Sequence, residues 1–93
     1  MTVAQDNLRI VNERGLHARA ASAFVNVAGR FDSTVTVEKD GRTVDGKSIL
    51  GIVSLLGTRG SDIHVTAEGS DAVATLSALN KLVAAGFDEE AVQ

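Results

Sequence analysis

The stretch RGLHARAASAF, residues 14–24, sets His17 two residues ahead of Arg19, just where an amphipathic run begins. A neutral imidazole has one lone-pair nitrogen and is a nucleophile toward phosphorus. If a helix starts at Ala18, its first backbone N–H groups lack intrahelical partners and its dipole adds partial positive charge at the same end. That end is an anion site. The usual N-cap residues Ser, Thr, Asp and Asn are missing from 13 to 21, the nearest being Asn12. A phosphate carried on His17 can therefore accept the uncapped N–H groups, Ala18 and Arg19 included. The fork-shaped guanidinium of Arg19 can share the charge. Phosphoryl transfer asks mainly for positioning and charge neutralisation. The plainer alternative is a chance loop histidine beside a solvated arginine.

A second pattern competes. Residues 41–48, GRTVDGKS, satisfy the phosphate-binding expression G-x-x-x-x-G-K-[ST], with a strand expected before it and a helix after. Three considerations oppose a nucleotide-binding loop. Arg42-Thr43-Val44 reads better as a return strand after the Asp40-Gly41 turn. No later apolar strand ends in an Asp suited to Mg²⁺. Ninety-three residues are too few for a parallel sheet covered on both faces. His64 falls out of phase with Ile63 and Val65, so it is expected on a solvated strand face. With no ligand at metal spacing from it, no metal site and no cofactor are expected.

The elements that must hold these residues follow from periodicity. LRIV (8–11) reads as a short strand with Leu8 and Ile10 on one face. Ala21, Phe24, Val25 and Ala28 mark a helix over 18–28 that Gly29 ends. Val35 and Val37 alternate with Thr34 and Thr36, and Asp40-Gly41 turns the chain into a strand around Val44. SILGIVSLL (48–56) is a short apolar helix opened by Ser48, with Ile52 and Leu56 taken as core. DIHVTAEG (62–69) is a fourth strand with Ile63, Val65 and Ala67 inward. Ser70 is expected to cap a last helix whose apolar side is Val73, Leu76, Leu79, Leu82 and Val83, closed by Gly86. Residues 88–93 read as a frayed acidic tail. The order β-α-β-β-α-β-α implies an α/β (α+β) two-layer sandwich: an antiparallel sheet with three helices on one face. The whole chain, 1–93, reads as one domain.

Bulk properties narrow the function. The formal net charge is −3 and the aromatics are three Phe, with no Tyr or Trp, which argues against a nucleic-acid binder. There is no cysteine, no apolar run long enough for a membrane span and no basic-then-apolar leader, so a cytoplasmic protein is expected.

GLHARAA together with DGKSILGIVSLL resembles the HPr family, the histidine-phosphorylated carriers of the bacterial phosphoenolpyruvate phosphotransferase system, over nearly the whole chain. The resemblance implies an open-faced sandwich with sheet order 1-4-2-3. It implies phosphorylation of His17 on Nδ1, an attending Arg19, and Gly15 and Leu16 as the turn that presents the histidine. Ala18 and Ala20 complete the phosphate-supporting turn. Ser48 matches a serine that an HPr kinase/phosphorylase modifies in some lineages, and Lys47, Ile49, Leu50 and Val53 match a partner-docking patch. The implied partners are enzyme I and an enzyme IIA-type acceptor, with a monomeric carrier that is not itself an enzyme. Ala20 departs from the family's usual proline, which would fix φ and remove one N–H. Asn26, Gly29 and Gly51 stand where sugar-pathway relatives often carry Lys. The motif without its proline resembles the nitrogen-related branch of alphaproteobacteria, and the two departures together favour that branch over sugar uptake. A module of the same fold with an inert His17 is the remaining alternative, and loss of labelling in His17→Ala separates the two.

Overall fold

The computed structural model describes residues 2–88. Seven main elements follow the expected order: β1 (Val3–Arg9), α1 (Ala18–Ala28), β2 (Thr34–Lys39), β3 (Arg42–Asp45), α2 (Ile49–Ser54), β4 (Asp62–Glu68) and α3 (Ala72–Ala84). A single 3₁₀ turn, Gly86–Asp88, follows α3. The strands form one antiparallel sheet in the order β1-β4-β2-β3. Three helices cover one of its faces, so the expected open-faced sandwich is the observed fold.

The alternation in β2 and β4 sets the register of the core. Val35 and Val37 are buried, and Ala67 and Val65 lie opposite them on β4. Ile63 pairs with Leu8 of β1 on the same face. Phe24, Ile52, Leu79 and Val83 close the helical side, each almost wholly buried. Burying four such side chains contributes on the order of 1.5–3 kcal/mol each. Asp40 and Gly41 both adopt positive φ, 52° and 84°, as a two-residue hairpin requires, and place Lys39 opposite Arg42.

Several boundaries differ from the sequence reading. The first strand runs over Val3–Arg9 rather than 8–11; it pairs with β4 along its length although only Leu8 is buried. Ile10 is fully buried but lies beyond the strand, its N–H donating to Ser61 O at 2.9 Å. Ser70 does not cap α3. Asp71 takes the cap position and makes no side-chain cap bond, because its carboxylate accepts from Asp32 N at 2.8 Å, Ser33 N at 3.0 Å and Ser33 Oγ. That clamp ties the entry to β2 onto the start of α3 and holds the Asp71 carboxyl below its usual range, the Ser33 hydroxyl bond first among the causes. Val73 is exposed, while Ala72 and Thr75 are buried instead. Leu56 is also exposed, in a positive-φ conformation, and Leu55 takes the core place. Of the acidic run, Asp88 belongs to the 3₁₀ turn, and residues 89–93 lie outside the described residues.

Residues 41–48 form no phosphate-wrapping loop. Arg42–Asp45 are β3, and Gly46 packs so closely that a Cβ there would stand 2.4 Å from Val35 Cγ1.

Candidate functional site

The loop from β1 into α1 is held at three points. Gly15 N donates to Asn12 O at 3.2 Å, and the buried Asn12 side chain donates from Nδ2 to Gly15 O at 2.8 Å. Leu16, buried in the core, donates its N–H to Gly57 O at 2.9 Å. Gly15 is required here twice over: its φ is +67°, and a Cβ would stand 2.2 Å from Gly57 O. The loop thus delivers the next residue, His17, to the start of α1 in a set position.

His17 is itself the N-cap of α1. Its backbone is extended (φ −73°, ψ 176°), and its Nδ1 accepts a hydrogen bond from Arg19 N at 3.2 Å. The helix expected to lack a cap therefore has one, supplied by the imidazole. Accepting at Nδ1 requires the lone pair there, which assigns the neutral ring its proton at Nε2. The first intrahelical bond runs from Ala21 N to His17 O at 2.9 Å, so the N–H groups of Ala18 and Ala20 precede the ladder.

His17 is half-buried, whereas Ala18 and Arg19 are exposed. Ala20 is fully buried: its methyl packs in the core while its N–H stays in the first turn. Beside the imidazole lies a concavity lined by Arg14, Leu16, His17, Val53, Leu56 and Thr58. Arg14 was not singled out from the sequence, because an exposed cation in a turn looks like a solvated one.

α2 borders the same concavity through Val53. Ser48 caps this helix as expected, its Oγ accepting from Gly51 N at 3.0 Å. Leu50 is 83% exposed and Ile49 42%, both on one short helix, while Val53 is half-buried and Ile52 is core. Lys47 is engaged elsewhere: its Nζ donates to Phe31 O at 2.9 Å, bridging to the loop after α1. Asn26 lines a separate groove between α1 and α3, with Arg30 and Lys81.

His64 stands on the open face of the sheet as expected, with Nδ1 2.8 Å from Asn7 Oδ1 and Nε2 2.9 Å from Gln5 Oε1. Among the described residues no group of three or more His, Cys, Asp or Glu could hold a metal ion, and no helix is long and apolar enough to cross a membrane.

Comparison with known proteins points the same way. Residues 4–85 match the family described as "PTS HPr component phosphorylation site". The chain is 40% identical over 83 residues to the phosphocarrier protein HPr of Treponema pallidum, covering 89% of this chain and 94% of that one. It is 42% identical over 83 residues to that of Pseudomonas aeruginosa, covering 88% and 92%. Among solved structures, HPr-C-His from Thermoanaerobacter tengcongensis superposes with a TM-score of 0.88 at 41% identity, over 92% of this chain and 97% of that one.

Proposed function

The chain belongs to the HPr family of phosphotransferase-system phosphocarriers, and from that we propose that it takes a phosphoryl group from enzyme I onto Nδ1 of His17 and passes it to an enzyme IIA-type partner. It acts as a stoichiometric carrier, not a turnover enzyme. The ultimate donor is phosphoenolpyruvate, and the carrier works as a cytoplasmic monomer.

One observation carries this reading: the Nδ1 lone pair is held at the N-terminus of α1 beside the exposed Arg19. In the transfer, the Nδ1–P bond forms as the donor's bond to phosphorus breaks, and the electron pair of the broken bond stays on the donor. The unit that moves is PO₃⁻, so the proton on Nε2 need not leave. Once Nδ1 is bonded to phosphorus, the Arg19 N–H is released to a phosphoryl oxygen, joined by the N–H groups of Ala18 and Ala20. The Arg19 guanidinium supplies the charge-assisted contact. Gly15 and Leu16 serve by fixing the loop. Onward transfer reverses these steps with His17 as the leaving group.

Ile49, Leu50 and Val53 form the docking patch for both partners, with Lys47 at its border. Ser48 is a second phosphosite: its Oγ lies at the start of α2, and a phosphate there sets negative charge beside Ile49 and Leu50, opposing docking. Ala20 in place of proline, and the missing lysines at 26, 29 and 51, support assignment to the nitrogen-regulatory branch.

The test is reconstitution. Phosphoenolpyruvate with catalytic enzyme I is expected to add one acid-labile, base-stable phosphate, absent in His17→Ala. Failure of the intact chain to be labelled by enzyme I of either branch would overturn the reading, and a preference for the sugar-branch enzyme would overturn the branch assignment.

A further inference from the structure

The concavity beside His17 holds a cation that the family motif does not call for. Arg14 is the third residue of the Asn12–Gly15 turn, and that turn is closed by two hydrogen bonds and anchored through Leu16 to Gly57. The backbone carrying Arg14 is therefore as firmly set as the backbone carrying His17. Arg14 lines the same concavity as His17 and is exposed. The ion pairs Arg9–Asp62 and Lys39–Asp40 among the described residues do not involve it. Arg19 lies two residues after His17, in the first turn of α1, and Arg14 three residues before it, in the loop.

We propose that Arg14 is a second guanidinium of the phosphoryl site, contacting the group carried on His17 from the side opposite Arg19. The inference rests on His17 being the phosphoryl carrier. A phosphoryl group on nitrogen is a dianion once its last proton leaves, with three acceptor oxygens. The first-turn N–H groups and one fork-shaped side chain cover only part of that set. A second fork fits the remaining oxygens, because planar guanidinium matches phosphate geometry where an ammonium presents only a point charge. Arg14 also offsets the rigidity lost with Ala20, since a loop without proline gains a charged contact once the phosphate is present. The net formal charge of the chain is −3, so two arginines flanking His17 within five residues set positive charge beside it against an acidic background.

The experiment charges wild type, Arg14→Gln, Arg14→Lys and Arg19→Gln with phosphoenolpyruvate and catalytic enzyme I, then follows the phosphohistidine by ³¹P NMR across pH. The expected result is a higher apparent pKa of the phosphoryl group in Arg14→Gln than in wild type. The equilibrium with phosphorylated enzyme I should also shift against the carrier by about three- to fivefold. Arg14→Lys restores the pKa more fully than the equilibrium, because it keeps charge but not the fork. Amide spectra of the uncharged variants check that the fold is intact, as an exposed turn position predicts. A phosphoryl titration in Arg14→Gln superimposable on wild type overturns the inference. So does a change confined to the KM for enzyme I, which assigns Arg14 to protein docking. Wild type that takes no phosphate overturns the phosphocarrier reading itself, a result distinct from either.

Discussion

The backbone N–H of Leu16 donates to the carbonyl of Gly57 at 2.9 Å, so the histidine loop hangs from the segment that follows α2. No helix or sheet ladder makes this link; two loops far apart in sequence make it, and Gly15 permits the approach. Replacing Gly15 by Ala forces a residue with a side chain into φ +67° and drives its Cβ to 2.2 Å from Gly57 O. We expect a loss of about 3 kcal/mol or more by denaturant unfolding, with labelling of His17 impaired even where the variant remains folded. A variant within about 0.5 kcal/mol of wild type would show that the loop relaxes freely.

The cap and the chemistry of His17 are separable. His17→Ala removes the Nδ1 acceptor of Arg19 N and should cost about 1 kcal/mol of stability. His17→Asn offers a side-chain oxygen in its place and should stay within about 0.5 kcal/mol of wild type. Neither accepts a phosphoryl group. Equal destabilisation of the two in urea titrations would mean that the cap bond contributes nothing.

Ala20→Pro tests the departure in the motif. The Ala20 N–H precedes the first intrahelical bond, Ala21 N to His17 O, so proline removes no ladder bond and restricts the unfolded chain. Stability should rise by about 0.4–1 kcal/mol, and ¹⁵N relaxation over residues 13–19 should show less motion than wild type before phosphorylation. Identical relaxation and identical phosphohistidine lifetimes would remove Ala20 as a cause of looseness. A fall in stability would mean that the buried site around its methyl has no room for the ring.

Ser48→Asp retains a capping oxygen at the start of α2, so its melting temperature should match that of wild type. The rate of phosphoryl transfer from enzyme I should fall about tenfold, because the charge lies beside Ile49 and Leu50. Leu50→Ala, which removes an 83% exposed side chain, should slow transfer without altering stability. An unchanged rate in both variants would place docking on another surface.

The clamp at Asp71 gives the fold an acid-sensitive point. Its carboxyl is held below the usual range by the Ser33 hydroxyl and by the backbone N–H groups of Asp32 and Ser33. A folded value below the unfolded one, about 3.9, means that the clamp contributes fully above that pH. The contribution is lost as pH falls through the folded value. Urea unfolding between pH 2 and pH 6 should therefore show wild-type stability dropping at the acid end. Asp71→Asn should be less stable at pH 6 with a shallower acid dependence. Parallel pH profiles would exclude Asp71 as a source of acid sensitivity.

How far the sequence discloses this molecule depends on how directly a pattern maps to one environment. The alternations Val35/Val37 and Ile63/Val65/Ala67, and the run Ala21/Phe24/Ala28, were legible because each buries one face of a regular element. The full length of β1 leaves little apolar trace, because only Leu8 in it is buried and the rest is held by backbone pairing with β4. Ser70 and Val73 misled because Asp71 spends its side chain on a distant loop, shifting the start and face of α3. At the site, His17, Arg19 and the Ser48 cap could be anticipated from residue type and place. The self-capping of His17 could not, because imidazole is not among the residues that cap rules count. Arg14 escaped because its relevance depends on a concavity assembled from two loops and a helix.

The cap bond from Arg19 N to His17 Nδ1 bears on how a carrier is told apart from itself. If His17 carries the phosphoryl group as proposed, loading turns the lone pair on Nδ1 into a bond to phosphorus, and the same N–H can turn from nitrogen to oxygen without the helix having to begin elsewhere. Cargo-bearing and empty forms then share one silhouette. On that reading donor and acceptor distinguish them chiefly by field, the net negative charge that arrives with the PO₃⁻ unit. Salt concentration, by screening that field, then sets how fast each form meets its partner.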